Sequence, residues 1–159
     1  LKETILVLAP RHPERVPKIL REIKKNGTNL SLFSKNEFKI DYTKKINLID
    51  EIGYLENLFS LADIAFIGGS LIPRGGQNFL EAVKFSLPIS SGKSFYNFQE
   101  IAEDLIDMGI LNVAVSAKEI KDIWEKQLAT DSDRISKKTD VYFKERQGAS
   151  LRAFEYLPL

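Results

Sequence analysis

AFIGGSLIPRGGQNFLE, residues 65–81, decides how this chain is read. A short apolar strand runs into two glycine pairs, an arginine, and an Asn-x-x-Glu that opens a helix. Glycine lets backbone N–H groups approach a ligand closely, and a helix N-terminus adds orphan donors and a partial positive charge. Gly68, Gly69, Ser70, Arg74, Gly75 and Gly76 thus form a candidate phosphate loop that needs no metal. Asn78 and Glu81 follow with side chains suited to ribose hydroxyls. The competing reading is a tight turn after a strand, which also uses glycine.

Outward from this stretch, apolar runs of strand length alternate with helical periodicity. Strands are expected at 5–8, 30–33, 45–49, 64–67, 88–90 and 111–115. Val16, Ile19, Leu20 and Ile23 recur at helical spacing, and Asn26-Gly27 supplies a stop. Further helices are expected at 54–61, 78–85, 98–108 and 117–128, with one or two over 131–156 and a lysine-rich loop at 35–43. This alternation predicts an α/β fold with a doubly wound, Rossmann-like parallel sheet, as a single domain over residues 1–159. Ligands of such sheets bind outside the carboxyl ends of the strands. Pro10 and Arg11, then Ile52, Gly53 and Tyr54, and then residues 68–81 all fall at such ends.

Composition narrows the function classes. With 43% hydrophobic and 28% charged residues in 159, the chain is an ordinary globule. A net charge of +1 argues against a nucleic-acid partner. The absence of cysteine excludes disulfides and thiolate metal sites and fits a reducing compartment. No apolar run approaches the ~20 residues that span a bilayer, so the domain is expected to be soluble. The only methionine is Met108, and the chain begins at Leu1, so a fragment or processed chain is expected. His12, the single histidine, reads as a solvent-exposed or turn-stabilising residue rather than a catalytic one. No metal cluster can be assembled around it. Phe95, Tyr96 and Phe98 read as core or inter-domain packing, and the paired lysines as a solvated face, with an anionic membrane surface as the alternative.

Residues 65–81 closely resemble the signature of the Kdo transferases, approximately GGSLVPRGGHNPLEPA. Three further segments match in the same order. Residues 9–15, APRHPER, match APRHPER; residues 50–55, DEIGYL, stand where the family has roughly DTMGEL; and residues 92–101, GKSFYNFQEI, match a stretch like GPHTFNFREI. These enzymes move 3-deoxy-D-manno-octulosonic acid (Kdo) from CMP-Kdo onto lipid A precursors in lipopolysaccharide biosynthesis.

The resemblance implies the C-terminal, nucleotide-sugar half of a GT-B type glycosyltransferase, with the acceptor half and the catalytic carboxylate outside this chain. It implies inverting, metal-independent transfer with CMP as leaving group, no cofactor beyond the donor, and an isolated domain without activity. Pro10, Arg11, Ile52, Gly53, Tyr54, Asn78, Phe79, Leu80 and Glu81 are implied to hold the CMP moiety. The whole enzyme is implied to sit peripherally on the cytoplasmic face of the bacterial inner membrane. Asn78 as a helix cap and Glu81 as a complement to the helix dipole remain the local alternatives. The chain departs from the pattern at Tyr54 for glutamate, Gln77 for histidine, Phe79 and Ala82 for prolines, and Lys93-Ser94 for Pro-His. Two rival readings stay open: a donor domain for a UDP-sugar, or a non-catalytic nucleotide-binding α/β module.

Overall fold

The computed structural model describes residues 4–129 and 132–146. The chain forms two compact units, Leu1–Ser60 and Leu61–Leu159.

In the first unit, β1 (Leu6–Leu8), α1 (Val16–Lys25), β2 (Leu30–Leu32), β3 (Ile46–Leu48) and α2 (Leu55–Phe59) follow in order. The strands form a parallel sheet in the order β1-β3-β2, with Leu48 opposite both Leu8 and Leu32. β3 is the middle strand, and Asn47 and Leu48 on it are fully buried. Asn47 is satisfied there: its Oδ1 accepts the Asp41 N–H at 2.8 Å and its Nδ2 donates to the Asp41 carbonyl at 3.1 Å. A central-strand asparagine thereby anchors the polar loop that precedes it. The apolar stripe of α1 ends where expected, at Asn26 and at Gly27 with φ of +65°. Lys24 and Lys25 in its last turn complement the negative end of the helix.

In the second unit, β4 (Ala65–Ile67), α3 (Leu80–Val83), β5 (Ile89–Ser91), α4 (Gln99–Asp107), β6 (Leu111–Val113), α5 (Ala117–Leu128) and α6 (Ser132–Arg146) follow. The parallel order is β4-β5-β6. Phe79, Val83, Ile89, Leu105 and Ile110 are fully buried and make its core. Each such side chain contributes about 1.5–3 kcal/mol relative to exposure. All three residues of β5 are buried. Ser90 lives there by donating to the Ala65 carbonyl at 3.2 Å and accepting the Trp124 indole N–H at 2.8 Å. Ser116 caps α5: its Oγ accepts the Glu119 N–H at 3.2 Å, and Glu119 Oε2 reaches back to the Val115 N–H at 3.0 Å.

The parallel α/β class agrees with the sequence reading, but the strands hydrogen-bond as two three-stranded sheets where one had been expected. Apolar runs report that strands exist and say little about which neighbour each one pairs with. The helix expected over 78–85 has its regular part at Leu80–Val83. It closes by a Schellman-type turn: Ser86 takes φ of +56°, its N–H bonds the Val83 carbonyl at 2.9 Å, and the Leu87 N–H reaches Ala82 at 3.5 Å. The expectation of helix over 131–156 is met at Ser132–Arg146. Residue 131 and residues 147–156 lie outside the described residues.

Candidate nucleotide-binding site

Parallel pairing brings the exits of β1 and β3 to one edge of the first sheet, where the Ile49 N–H bonds the Leu8 carbonyl at 2.9 Å. Pro10 and Arg11 leave from that edge, and so do Asp50, Ile52, Gly53 and Tyr54. Arg11 is exposed, and Ile52 is 78% exposed. Gly53 has φ of +96°, a conformation that a side chain would strain. His12 is exposed and pairs through Nδ1 with Glu14 at 3.3 Å.

Asp50, in the same motif, accepts two hydrogen bonds from Ser34: the amide at 2.9 Å and the hydroxyl at 2.5 Å. This pair ties the exit of β2 to the exit of β3. The Tyr54 ring lies 5.0 Å edge-on from Phe33 and 5.7 Å from Phe38, to which it is nearly parallel at 7°. Ser34, Phe33 and Phe38 are not among the candidate site residues that the sequence offers. Phe38 is held at φ of +57° with half its surface exposed, an unusual conformation for an aromatic residue.

In the second unit the glycine loop is folded back on itself and onto the segment after β5. The Gly76 N–H bonds the Gly69 carbonyl at 3.1 Å, and the Gly75 N–H bonds Ser94 Oγ at 3.0 Å. Ser70, fully buried, donates to the Ile67 carbonyl and accepts the Gly92 N–H, while its own carbonyl takes the Ser94 N–H at 2.9 Å. Gly69, Gly75 and Gly76 all have positive φ, and a Cβ on Gly75 would stand 2.3 Å from Asn97 Nδ2. Two of the quoted motifs, 65–81 and 92–101, are therefore one hydrogen-bonded assembly.

That assembly changes which groups can face a ligand. The amides of Gly75 and Gly76 are already committed, whereas those of Gly69, Ser70 and Gln77 carry no hydrogen bond among the described residues. Arg74 is exposed. Asn78 Oδ1 accepts the Leu80 N–H at 3.0 Å, as a helix cap does, and its Nδ2 lies 3.4 Å from Glu81 Oε1. The capping use of Asn78 is thus present, and Glu81 is exposed, with no partner for its second carboxylate oxygen among the described residues. Phe79 is fully buried against Phe95 and Phe98, at 6.4 and 6.2 Å, so its side chain packs the core while only its backbone borders the loop. Phe95 and Phe98, half-buried, pack edge-on against the core residue Phe79, and Tyr96 is exposed.

Chemically, free amides, an exposed arginine and a carboxylate suit an anionic, hydroxyl-bearing ligand. Among the described residues no His, Cys, Asp and Glu group is arranged to hold a metal. No described helix is long and apolar enough to cross a membrane.

The chain is 34% identical over 156 residues to the 3-deoxy-D-manno-octulosonic acid transferase of Haemophilus influenzae, which covers 96% of this chain and 36% of that protein. The transferase of the same name from Chlamydia muridarum is 30% identical over 132 residues, 82% of this chain and 30% of that protein. A bifunctional glycosyltransferase/methyltransferase of Fusobacterium nucleatum is 37% identical over 107 residues, 67% of this chain and 17% of that protein. The chain thus spans about a third or less of these relatives. Among solved structures, the C-terminal CMP-Kdo binding domain of WaaA from Acinetobacter baumannii matches with a TM-score of 0.79 at 28% identity, over 86% of this chain and 72% of that one. No model of a known protein family matches.

Proposed function

The chain is a relative of the Kdo transferases, and we propose that it is the donor-binding domain of such an enzyme, holding CMP-Kdo for transfer to a lipid A precursor. The observation that carries this reading is the match, in fold and in sequence, to a domain described as binding CMP-Kdo. The local chemistry supports it: Arg74 and the Gly69 and Gln77 amides offer donors to a phosphate, and Glu81 offers an acceptor to ribose. Arg11, at the exit of β1, is the second cation assigned to the nucleotide. Pro10 and Gly53 shape the turns beside it, and Ile52, Tyr54, Asn78, Phe79 and Leu80 complete the CMP-binding segments through backbone or side chain.

In the whole enzyme the reaction is inverting and metal-independent. An acceptor hydroxyl attacks the anomeric carbon as the bond to CMP breaks. Donors fixed in place then stabilise the charge that develops on the leaving phosphate. The acceptor and the catalytic carboxylate belong to the other half of the protein, which associates peripherally with the cytoplasmic face of the inner membrane. This domain alone is accordingly inactive.

Calorimetric titration of residues 1–159 with CMP, UMP and UDP tests the donor assignment. CMP should bind most tightly. Preference for UDP would favour a UDP-sugar transferase, and silence with all three would leave a fold without a nucleotide site. Measurable Kdo transfer by residues 1–159 alone would overturn the division of labour.

A further inference from the structure

Phe38 keeps an aromatic ring at the surface on a backbone that disfavours it. The residue is 48% exposed, and Glu37 and Phe38 are consecutive residues with φ of +52° and +57°. Such angles are unfavourable for any side chain, and a bulky one is an outlier there. The single turn Phe33–Lys35 imposes them: the Asn36 and Phe38 N–H groups both reach the Phe33 carbonyl, at 3.1 and 3.2 Å, and Asn36 Nδ2 donates to the Lys39 carbonyl at 2.8 Å. Closing a turn in this way calls for a left-handed residue, which glycine or asparagine supplies with less strain. It does not call for a ring.

The ring has a defined place. β2 and β3 pair in parallel, so the loop of Phe38 after β2 and the Gly53-Tyr54 step after β3 leave from one edge of the sheet in the Leu1–Ser60 unit. Ser34 joins the two loops, because its amide and its hydroxyl both donate to Asp50. Phe38 lies nearly parallel to Tyr54 with the ring centroids 5.7 Å apart, and both rings meet Phe33 edge-on. Phe33 is buried and Tyr54 half-buried, so the three rings run from the core to solvent and Phe38 is the solvent end. A lone exposed aromatic residue is ordinary on a protein surface. One set there by a strained backbone, with its loop tied to a candidate ligand segment, is a platform.

We propose that Phe38 stacks on the cytosine ring of the donor nucleotide, with Tyr54 supporting it from behind. The inference rests on the assignment of this chain as a CMP-Kdo-binding domain. Within that donor, the phosphate and the sugars call for hydrogen-bonding partners, which a phenyl ring lacks. The base is the one flat part with a π-face. Stacking reads the face of a base and not its edge, so Phe38 supplies affinity rather than the choice between cytosine and uracil.

Calorimetric titration of residues 1–159 with CMP compares the native chain with Phe38→Leu, Phe38→Gly and Phe38→Tyr. Leucine keeps apolar bulk without a ring, and glycine relieves the backbone strain, which guards against a variant that fails to fold. Both should weaken CMP at least about five-fold, whereas Phe38→Tyr should stay within about two-fold of native. Proton NMR of CMP in the same titrations gives a readout that a merely structural role would not move. The Phe38 ring current should shift the cytosine ring protons upfield on binding, and Phe38→Leu should remove most of that shift. If the native chain binds CMP but Phe38→Leu leaves the affinity unchanged, or if the cytosine protons do not move upfield, the platform is overturned and the donor assignment stands. A native chain that does not bind CMP would overturn both.

Discussion

Ser70 Oγ accepts the Gly92 N–H at 2.8 Å while donating to the Ile67 carbonyl at 2.6 Å, so one buried hydroxyl joins the exits of β4 and β5. A Cβ on Gly92 would stand 2.2 Å from the Ser70 carbonyl oxygen, which is backbone and cannot rotate away. Gly92→Ala should therefore destabilise the protein by about 1–3 kcal/mol as an overpacked position. Ser70→Ala should cost about 1–3 kcal/mol, because it leaves a buried donor and a buried acceptor unmet. Urea denaturation measures both, and midpoints equal to the native value would show that the two loops are held together by other contacts.

Tyr54 occupies the place of a family glutamate, and its ring completes a cluster with Phe33 and Phe38. Tyr54→Glu would remove two aromatic pairs, each contributing about 0.5–1.5 kcal/mol beyond area burial. The expected result is a loss of about 1–3 kcal/mol in the same denaturation experiment. Tyr54→Phe should retain most of the stability. A Tyr54→Glu protein as stable as the native one would detach this residue from the packing of its neighbours.

The sequence carried different parts of this molecule unequally. The run AFI before Gly68 and the periodicity of α1 and α5 were plain, because burial on one face leaves a regular trace. Pairing of β1, β3 and β2 as a separate sheet left no such trace, since it depends on partners far along the chain. At the candidate site, the glycines were legible, but the commitment of the Gly75 amide to Ser94 was not. Ser94 stands where the family has histidine and read as a departure, whereas its hydroxyl and amide both serve to close the loop. The Ser34–Asp50 pair was equally hidden: Asp50 lay in a quoted motif, and its partner lay 16 residues earlier with nothing to mark it.

Asp41 has its carboxyl pKa held below the ordinary value of 3.8, chiefly because the Thr43 hydroxyl and then the Thr43 amide donate to it, at 2.6 and 2.9 Å, with Lys44 adding to the effect. A lowered folded-state pKa means that this interaction stabilises the fold at pH above 3.8 and is lost as pH falls through the lower, folded value. Thr43→Val removes the hydroxyl and keeps the amide, so the Asp41 pKa should rise part of the way toward 3.8. An NMR titration of the Asp41 carboxyl carbon measures this directly. An unchanged midpoint would assign the whole shift to the backbone.

Glu81 is where the helix-end and ligand readings separate. The regular part of α3 is only four residues long, and Asn78 Oδ1 already accepts its Leu80 N–H, so little helix dipole remains for Glu81 to complement. Glu81→Gln should accordingly leave the melting temperature almost unchanged, whereas Asn78→Ala should cost about 0.5–2 kcal/mol as a lost cap. If the Glu81 carboxylate accepts the ribose hydroxyls, Glu81→Gln should weaken CMP by about five- to over a hundred-fold, equivalent to about 1–3 kcal/mol. The 2′-deoxy form of CMP should bind the native domain more weakly than CMP, and it should lose less on mutation because one of the two hydroxyls is already gone. Titration of both ligands against both proteins forms a closed cycle. Equal losses would detach Glu81 from the 2′-hydroxyl, and no loss with either ligand would return Glu81 to a role at the end of α3.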